Sequence, residues 1–333
     1  MGDRYLAGCL VFCLSAWLMP VVVASAGQVG QSGDWVQPRM PDGRPDLQGV
    51  WLSNIATPLQ RPDTLADREY LTEEEVATLR ARVERIFRNG RSAFAIPESA
   101  FHAALNDLET YQAQSTSSSI GMVEVEITSR TSLVTDPVDG RIPALTRAAQ
   151  LREDAVDRGW RFKTGPEDLN NVHRCVTTGV PRLGGNFGAG PYTFYQLVQT
   201  ADYVAFVSEA FHDARIIPLD GRPHPPELVR QWNGVSRGHW EGDTLVVETR
   251  NFSRNSYFRG SAHGLQLVER FSRRDLDTLN YQMTFYDPST WVSPWTAEIP
   301  LKLRNQPIYE FACHEGNYSI VGMLRTARLE EDR

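Results

Sequence analysis

The sequence predicts a mainly β protein: an antiparallel meander, closed as a calycin-like barrel in preference to a sandwich, with N-terminal helices packed against it. Three observations lead there. From about residue 192, short segments in which apolar and polar residues alternate recur with turn signals between them. Before that point the clearest periodicity is helical. No internal repeat of roughly 20–50 residues is present, which argues against a propeller.

The chain has 333 residues, of which 41% are hydrophobic and 23% charged, an ordinary balance for a folded protein with a real core. Residues 5–23 form an apolar run behind Arg4, followed by Ala24-Ser25-Ala26. This is the pattern of a secretory signal peptide cut after Ala26, and it implies a secreted or periplasmic mature protein. Pro20 interrupts the run and a polar stretch follows, so a membrane anchor is the weaker reading. Residues 27–45 then read as a polar linker and 46–333 as a single β-rich domain. Its helical additions fall at about 70–175 and its meander at about 192–328. The formal net charge is -7, and no run of Lys or Arg occurs. Neither nucleic acid nor an anionic membrane surface is expected as a partner, and no second apolar run is long enough to span a bilayer. The pattern fixes no oligomeric state.

Within the domain, Pro41-Asp42-Gly43 and Pro45-Asp46 are turn chemistry ahead of a short strand around Val50-Trp51. Residues 71–90 give the clearest helix. Thr72 and Glu75 form a capping box, Val76, Leu79, Val83 and Ile86 share one face, and Asn89-Gly90 end it. Val123, Val125 and Ile127 alternate with Glu124 and Glu126 as a half-buried strand. A second helix covers roughly 146–157, with a further helical turn in "PEDLNNV". The meander then runs through "YTFYQLVQT", "DYVAFVSE", "ARIIPL", "DTLVVETR", "LQLVERFSR", "DTLNYQMTFYD", "WTAEIPLKL" and "PIYEFAC". "YSIVGMLRTAR" is expected to complete the barrel. Leu279, Tyr281, Met283 and Phe285 share one face, as do Trp295, Ala297, Ile299, Leu301 and Leu303.

Four cysteines are present, and Cys9 and Cys13 leave with the signal peptide. In an oxidising compartment Cys175 and Cys313 are expected to pair; two buried free thiols are the alternative.

The segments "PDGRPDLQGVW", "HDARIIPLDGRPH", "GHWEGDTLVVETRNF", "DPSTWVSPWTAEIPL" and "YEFACHEGNY" together resemble a large family of secreted bacterial proteins. The resemblance spans nearly the whole mature chain and carries no activity with it. Gly49-Val50-Trp51 ahead of a meander is also similar to the lipocalin (calycin) pattern, which implies a ligand in a barrel lumen. Here about seventy residues of helical and polar sequence separate that motif from the next clear strand, a departure from the pattern.

Two motifs invite catalytic readings and lack their context. Gly234-Val235-Ser236-Arg237-Gly238 matches G-x-S-x-G, but a hairpin follows where a nucleophile elbow needs a helix. The glycines at 184, 185, 188 and 190 have the wrong spacing for a dinucleotide loop and read as a loop at a barrel mouth. No H-x-H, HExxH or paired CxxC occurs, so neither a metal nor another cofactor is expected.

The stronger signal is charge on apolar faces. Leu265, Leu267, Glu269 and Phe271 fall on one side of a strand by period-two counting, and so do Phe211, Asp213, Arg215 and Ile217. Unpaired buried charges cost several kcal/mol each, so such groups pair or bind something. One reading is an internal ion pair of Glu269 with Arg215. The other is a lumen in which Glu269, His314 or His212 moves a proton and Arg215 or Arg174 stabilises charge. Trp240, Trp291 and Trp295 would line that lumen. A Cys175–Cys313 bond would bring Arg174 near His314 and Glu315, and His224 is a further polar candidate. The function expected is binding of a small, partly apolar organic molecule. Cofactor-free isomerase, cyclase or lyase chemistry is one version of it, and a non-catalytic carrier or cell-envelope interaction protein is the alternative.

Overall fold

All but the last of the alternating segments become strands, because each can bury one face while its backbone pairs with neighbours. The computed structural model describes residues 35–88, 97–107, 126–180 and 193–331. The expected signal peptide, residues 27–34 of the linker, Val123, Val125, Asn89-Gly90 and the glycines at 184–190 lie outside the described residues. Residues from Gln37 onward form one unit.

The strands are β1 (Gly49–Leu52), β2 (Val134–Asp136), β3 (Phe194–Gln199), β4 (Tyr203–Ser208), β5 (Ala214–Pro218) and β6 (Val235–Glu241). They continue as β7 (Thr244–Arg250), β8 (Gln266–Arg273), β9 (Thr278–Tyr286) and β10 (Trp295–Arg304). The helices are α1 (Glu73–Arg88), α2 (Pro97–Leu105), α3 (Arg147–Phe162) and α4 (Ser319–Glu331). The strands make one antiparallel sheet in the order β5-β4-β3-β1-β10-β9-β8-β7-β6, and β2 pairs with β10 off this path. β1 is the short strand expected at Val50-Trp51. It sits between β3 and β10, with Trp51 opposite both Tyr195 and Leu303.

The sheet curls until its two halves face each other. Phe206 on β4 lies 5.7 Å, ring to ring, from Phe271 on β8, although four strands separate them in the sheet. One core fills the concave side, built from Trp51, Leu197, Phe271, Met283, Phe285 and Trp295 among others. Along β9, Leu279, Tyr281, Met283 and Phe285 all point into it, as their alternation requires.

Closure is where structure and expectation differ. Among the described residues no backbone ladder joins β5 to β6, so the sheet is not closed into a barrel. The two edges meet through side chains instead. A Cβ added at Gly238 on β6 would lie 2.9 Å from Ile217 and 2.7 Å from Leu219, so glycine is what lets the edges approach there.

The helices follow their sequence signals. Thr72 accepts from the Glu75 amide (3.2 Å) while Glu75 accepts from the Thr72 amide (2.8 Å), closing the capping box. Val76, Leu79, Val83 and Ile86 are buried with Phe101 of α2 and Ile127 in a second cluster. Thr146 caps α3 through the Ala149 amide. The C-terminal segment corrects the sequence reading. Residues 305–318 form no strand, and "YSIVGMLRTAR" beyond its Tyr318 belongs to α4 and not to a last barrel strand. Tyr309 and Tyr318 are exposed, while Ile320, Met323, Leu324 and Ala327 are more buried at helical spacing. The alternation of Tyr309, Phe311 and Cys313 is too short to tell an exposed extended segment from a strand.

Cys175 and Cys313 are bonded across a sequence separation of 138. Asn317 adds a bond to the His173 carbonyl (3.0 Å), and Arg328 of α4 donates to the carbonyls of Lys163 and Thr164 beyond α3. The C-terminal segment is therefore tied down by one covalent and several polar links. Opening the disulfide, by reduction or Cys313→Ser, is expected to lower stability by up to about 5 kcal/mol through restored entropy of the unfolded chain. Denaturant midpoints with and without reductant measure this, and an unchanged midpoint would refute it.

Candidate functional site

Period two along β8 puts Glu269 between Leu267 and Phe271 on the concave face, and period two along β5 puts Arg215 beside Ile217. Curling brings these two strands, near opposite ends of the sheet, into contact. Glu269 has 0% exposure and Arg215 9%, so the charges must satisfy each other. They do so as a fork: Arg215 Nη1 donates to Glu269 Oε1 (3.0 Å) and Nη2 to Oε2 (2.5 Å). The Tyr281 hydroxyl from β9 donates to Oε1 at 2.6 Å. Nη2 also reaches Ser236 of β6 (3.1 Å) and Thr249 of β7 (3.2 Å), whose hydroxyls lie 2.9 Å apart. One guanidinium on β5 thus binds side chains from β6, β7 and β8 across the open seam. Its Nε is buried, with no hydrogen-bond partner among the described residues.

The electrostatics follow from this packing. Burial opposes the Arg215 charge, but the Glu269 carboxylate overcomes it and holds the guanidinium pKa above its ordinary value. Burial first, and then the same carboxylate, push the Tyr281 hydroxyl well above the usual tyrosine range.

Two spaces adjoin Arg215. The inner one is about 30 Å³, room for one or two waters, and is lined by Tyr195, Phe206, Ser208, Asp213, Arg215 and Tyr281 among others. The Thr177 hydroxyl donates to Asp213 Oδ2 (2.6 Å) and lies 2.8 Å from the Asn233 amide, pinning the loop that covers it. The outer space is an open groove of about 700 Å³ along the β5–β6 seam, lined by Ala214, Arg215, Arg230, Trp232, Asn233 and Arg237 among others.

Of the residues singled out in the sequence, the structure brings together Glu269 and Arg215. His212, in a short 3-10 turn, is exposed, as are His314 and Glu315. Arg174 is half-buried beside the disulfide, and no hydrogen bond or ion pair joins it to His314 or Glu315 among the described residues. Trp291 and Trp295 line no lumen. They pack on Phe285 within the core, Trp295 at 3.9 Å ring to ring. Trp240 packs partly buried against the same core. His224 stands near Arg237 and Arg250, which with burial lower its pKa. Among the described residues no three His, Cys, Asp or Glu side chains converge as metal ligands would.

Tyr281, Thr249, Thr177 and Asn233 join the site without being singled out as site residues. Tyr281 shares its face with apolar neighbours, so a polar tip on that face was the available signal. Ser236 of the G-x-S-x-G motif is bonded to Arg215 and Thr249, with no histidine among its bonded partners. That is a structural hydroxyl. Compared with protein-family models, curated proteins and solved structures, the chain matches none.

Glu269→Gln leaves Arg215 buried beside a neutral amide and is expected to cost roughly 3–5 kcal/mol. A melting temperature equal to the parent's would refute this. A second outcome concerns pH. Because Tyr281 stays protonated in the folded state while an unfolded tyrosine ionises near 10, the unfolded chain binds fewer protons above that pH. Stability is therefore complete below about pH 10 and is lost as pH rises further. Urea midpoints from pH 8 to 11 are expected to fall, and to fall less in Tyr281→Phe.

Proposed function

We propose that this protein binds a small organic molecule in the groove beside Arg215. The observation that carries this is a groove of about 700 Å³, within the size range of small-molecule sites, floored by a guanidinium that a buried carboxylate holds in place. Among the described residues the concave interior holds a cavity of about 30 Å³ and is otherwise filled by aromatic and aliphatic side chains. The reading thus moves the ligand from a barrel lumen to the seam between two sheet edges. A leader-like N-terminus and a disulfide support a secreted or periplasmic setting for it.

Binding without turnover is the better supported version. Glu269 has no exposure and both its oxygens are engaged by Arg215 and Tyr281, which leaves it unsuited to passing protons. A cofactor-free isomerase, cyclase or lyase would draw its proton carrier from Asp213, which lines the inner cavity with Arg215 and Tyr281.

The test is to fill the groove. Ala214 is exposed on β5 and lines it. Ligand-observed NMR on a mixed set of small neutral, acidic and basic compounds is expected to give hits for the parent that Ala214→Trp loses at unchanged melting temperature. Hits that survive the substitution would place binding elsewhere, and an absence of hits would defeat the reading.

A further inference from the structure

The groove has a charge pattern that narrows its ligand, and the geometry points to a site for an oxyanion, the carboxylate or phosphate of a small organic acid, bound by Arg230 and Arg237 with Arg215 beneath. This deepens the proposed function and rests on it.

Among the described residues, three arginines and no Asp or Glu line the groove. Arg215 is balanced by Glu269, so the net positive charge comes from Arg230 and Arg237. Arg230 donates to the carbonyls of Phe252 and His263, both at 3.2 Å. Arg237 donates to those of Pro223 (3.1 Å) and Ser236 (2.8 Å). These bonds fix both guanidinium groups without neutralising them, and neither has a carboxylate partner among the described residues. The nearest carboxylate across the strand pair, Glu248 opposite Arg237, forms its ion pair with Arg250 at 3.0 Å. Burial, and then Arg250 and Arg237, lower the pKa of His224 nearby.

Arg215 is nine-tenths buried and lines both spaces, with Glu269 opposite its charge. Arg230 and Arg237 line the groove alone, and their donors are what an oxyanion there meets. Guanidinium groups suit this role because their planar donor pairs match carboxylate and phosphate oxygens. Trp232, exposed on the groove wall, offers a flat apolar face for the rest of such a ligand.

Titration with benzoate, phenyl phosphate and neutral benzamide tests this at low ionic strength. Both anions are expected to bind at least about tenfold more tightly than benzamide and to weaken severalfold in 0.5 M salt. Arg230→Gln with Arg237→Gln is expected to lower anion affinity at least about tenfold, while the Arg→Lys pair retains most of it. The Lys pair separates loss of charge from loosening of the loop, and equal loss in both pairs would overturn the charge assignment. Benzamide binding as tightly as benzoate, and being lost in Ala214→Trp, would leave the groove as a ligand site and overturn the anionic class. No saturable binding of either anion would also overturn that class. Neutral compounds binding in an Ala214-dependent way would then keep the groove reading, and their absence would remove it as well.

Discussion

The contact between Arg215 and Glu269 is the constraint on which the rest of the structure turns. Desolvating two charges costs more than most single packing gains return, and the cost is met only when each charge faces its opposite and the leftover polar atoms are bonded. Here the fork, the Tyr281 hydroxyl and the Ser236–Thr249 pair come from β5, β6, β7, β8 and β9, so the pair is satisfied only when the sheet is fully curled. The same guanidinium stands between the two edges. Its reach to Ser236 holds β5 and β6 together, and no ladder forms between them. An interior ion pair and an exterior groove are thus two sides of one arrangement.

In the proposed binding groove Arg215 is an unusual element. A guanidinium on a flexible exposed stem loses side-chain entropy whenever it is immobilised by a ligand. Arg215 has already lost that freedom through Glu269. Arg230 and Arg237 are restrained in the same way by backbone carbonyls. The groove is rigid at its charged points, which favours a shape-selective site over an adaptable one.

Much of the fold was legible because period two and period 3.6 act locally. Leu265, Leu267 and Phe271 fix the face of Glu269 whatever the sheet does, and Thr72 with Glu75 caps α1 whatever α1 packs on. The disulfide was legible by counting, since the two cysteines that follow the expected signal peptide allow one intramolecular pair. What alternation leaves open is distance between elements. It says that Trp295 points inward, but an inward-facing aromatic reads the same in a packed core and in a lumen. It says that β5 is a strand, and the hairpin read after Gly238 implies a partner for β7, but neither says whether two edges meet through backbone or through side chains. Arg230, Trp232 and Asn233 lie in a connection without periodicity, and only the curl of the sheet brings them beside Arg215. The segment before α4 misled because three alternating residues, Tyr309, Phe311 and Cys313, fit an exposed run as well as a strand.

The position of β1 carries a consequence for the order in which the molecule assembles. The Cys175–Cys313 bond closes a covalent ring that contains β3 to β10, and β1 lies outside that ring in sequence. Yet β1 is the wedge between β3 and β10, pairing with both. A chain made from its N-terminus holds β1 early and must keep Trp51 waiting until β10 exists, some 245 residues later. Once the ring closes, its two terminal strands are held in one neighbourhood, and the entropy of bringing them to β1 is partly removed. The ring then acts as a receiver with a slot one strand wide, into which its own N-terminal segment fits.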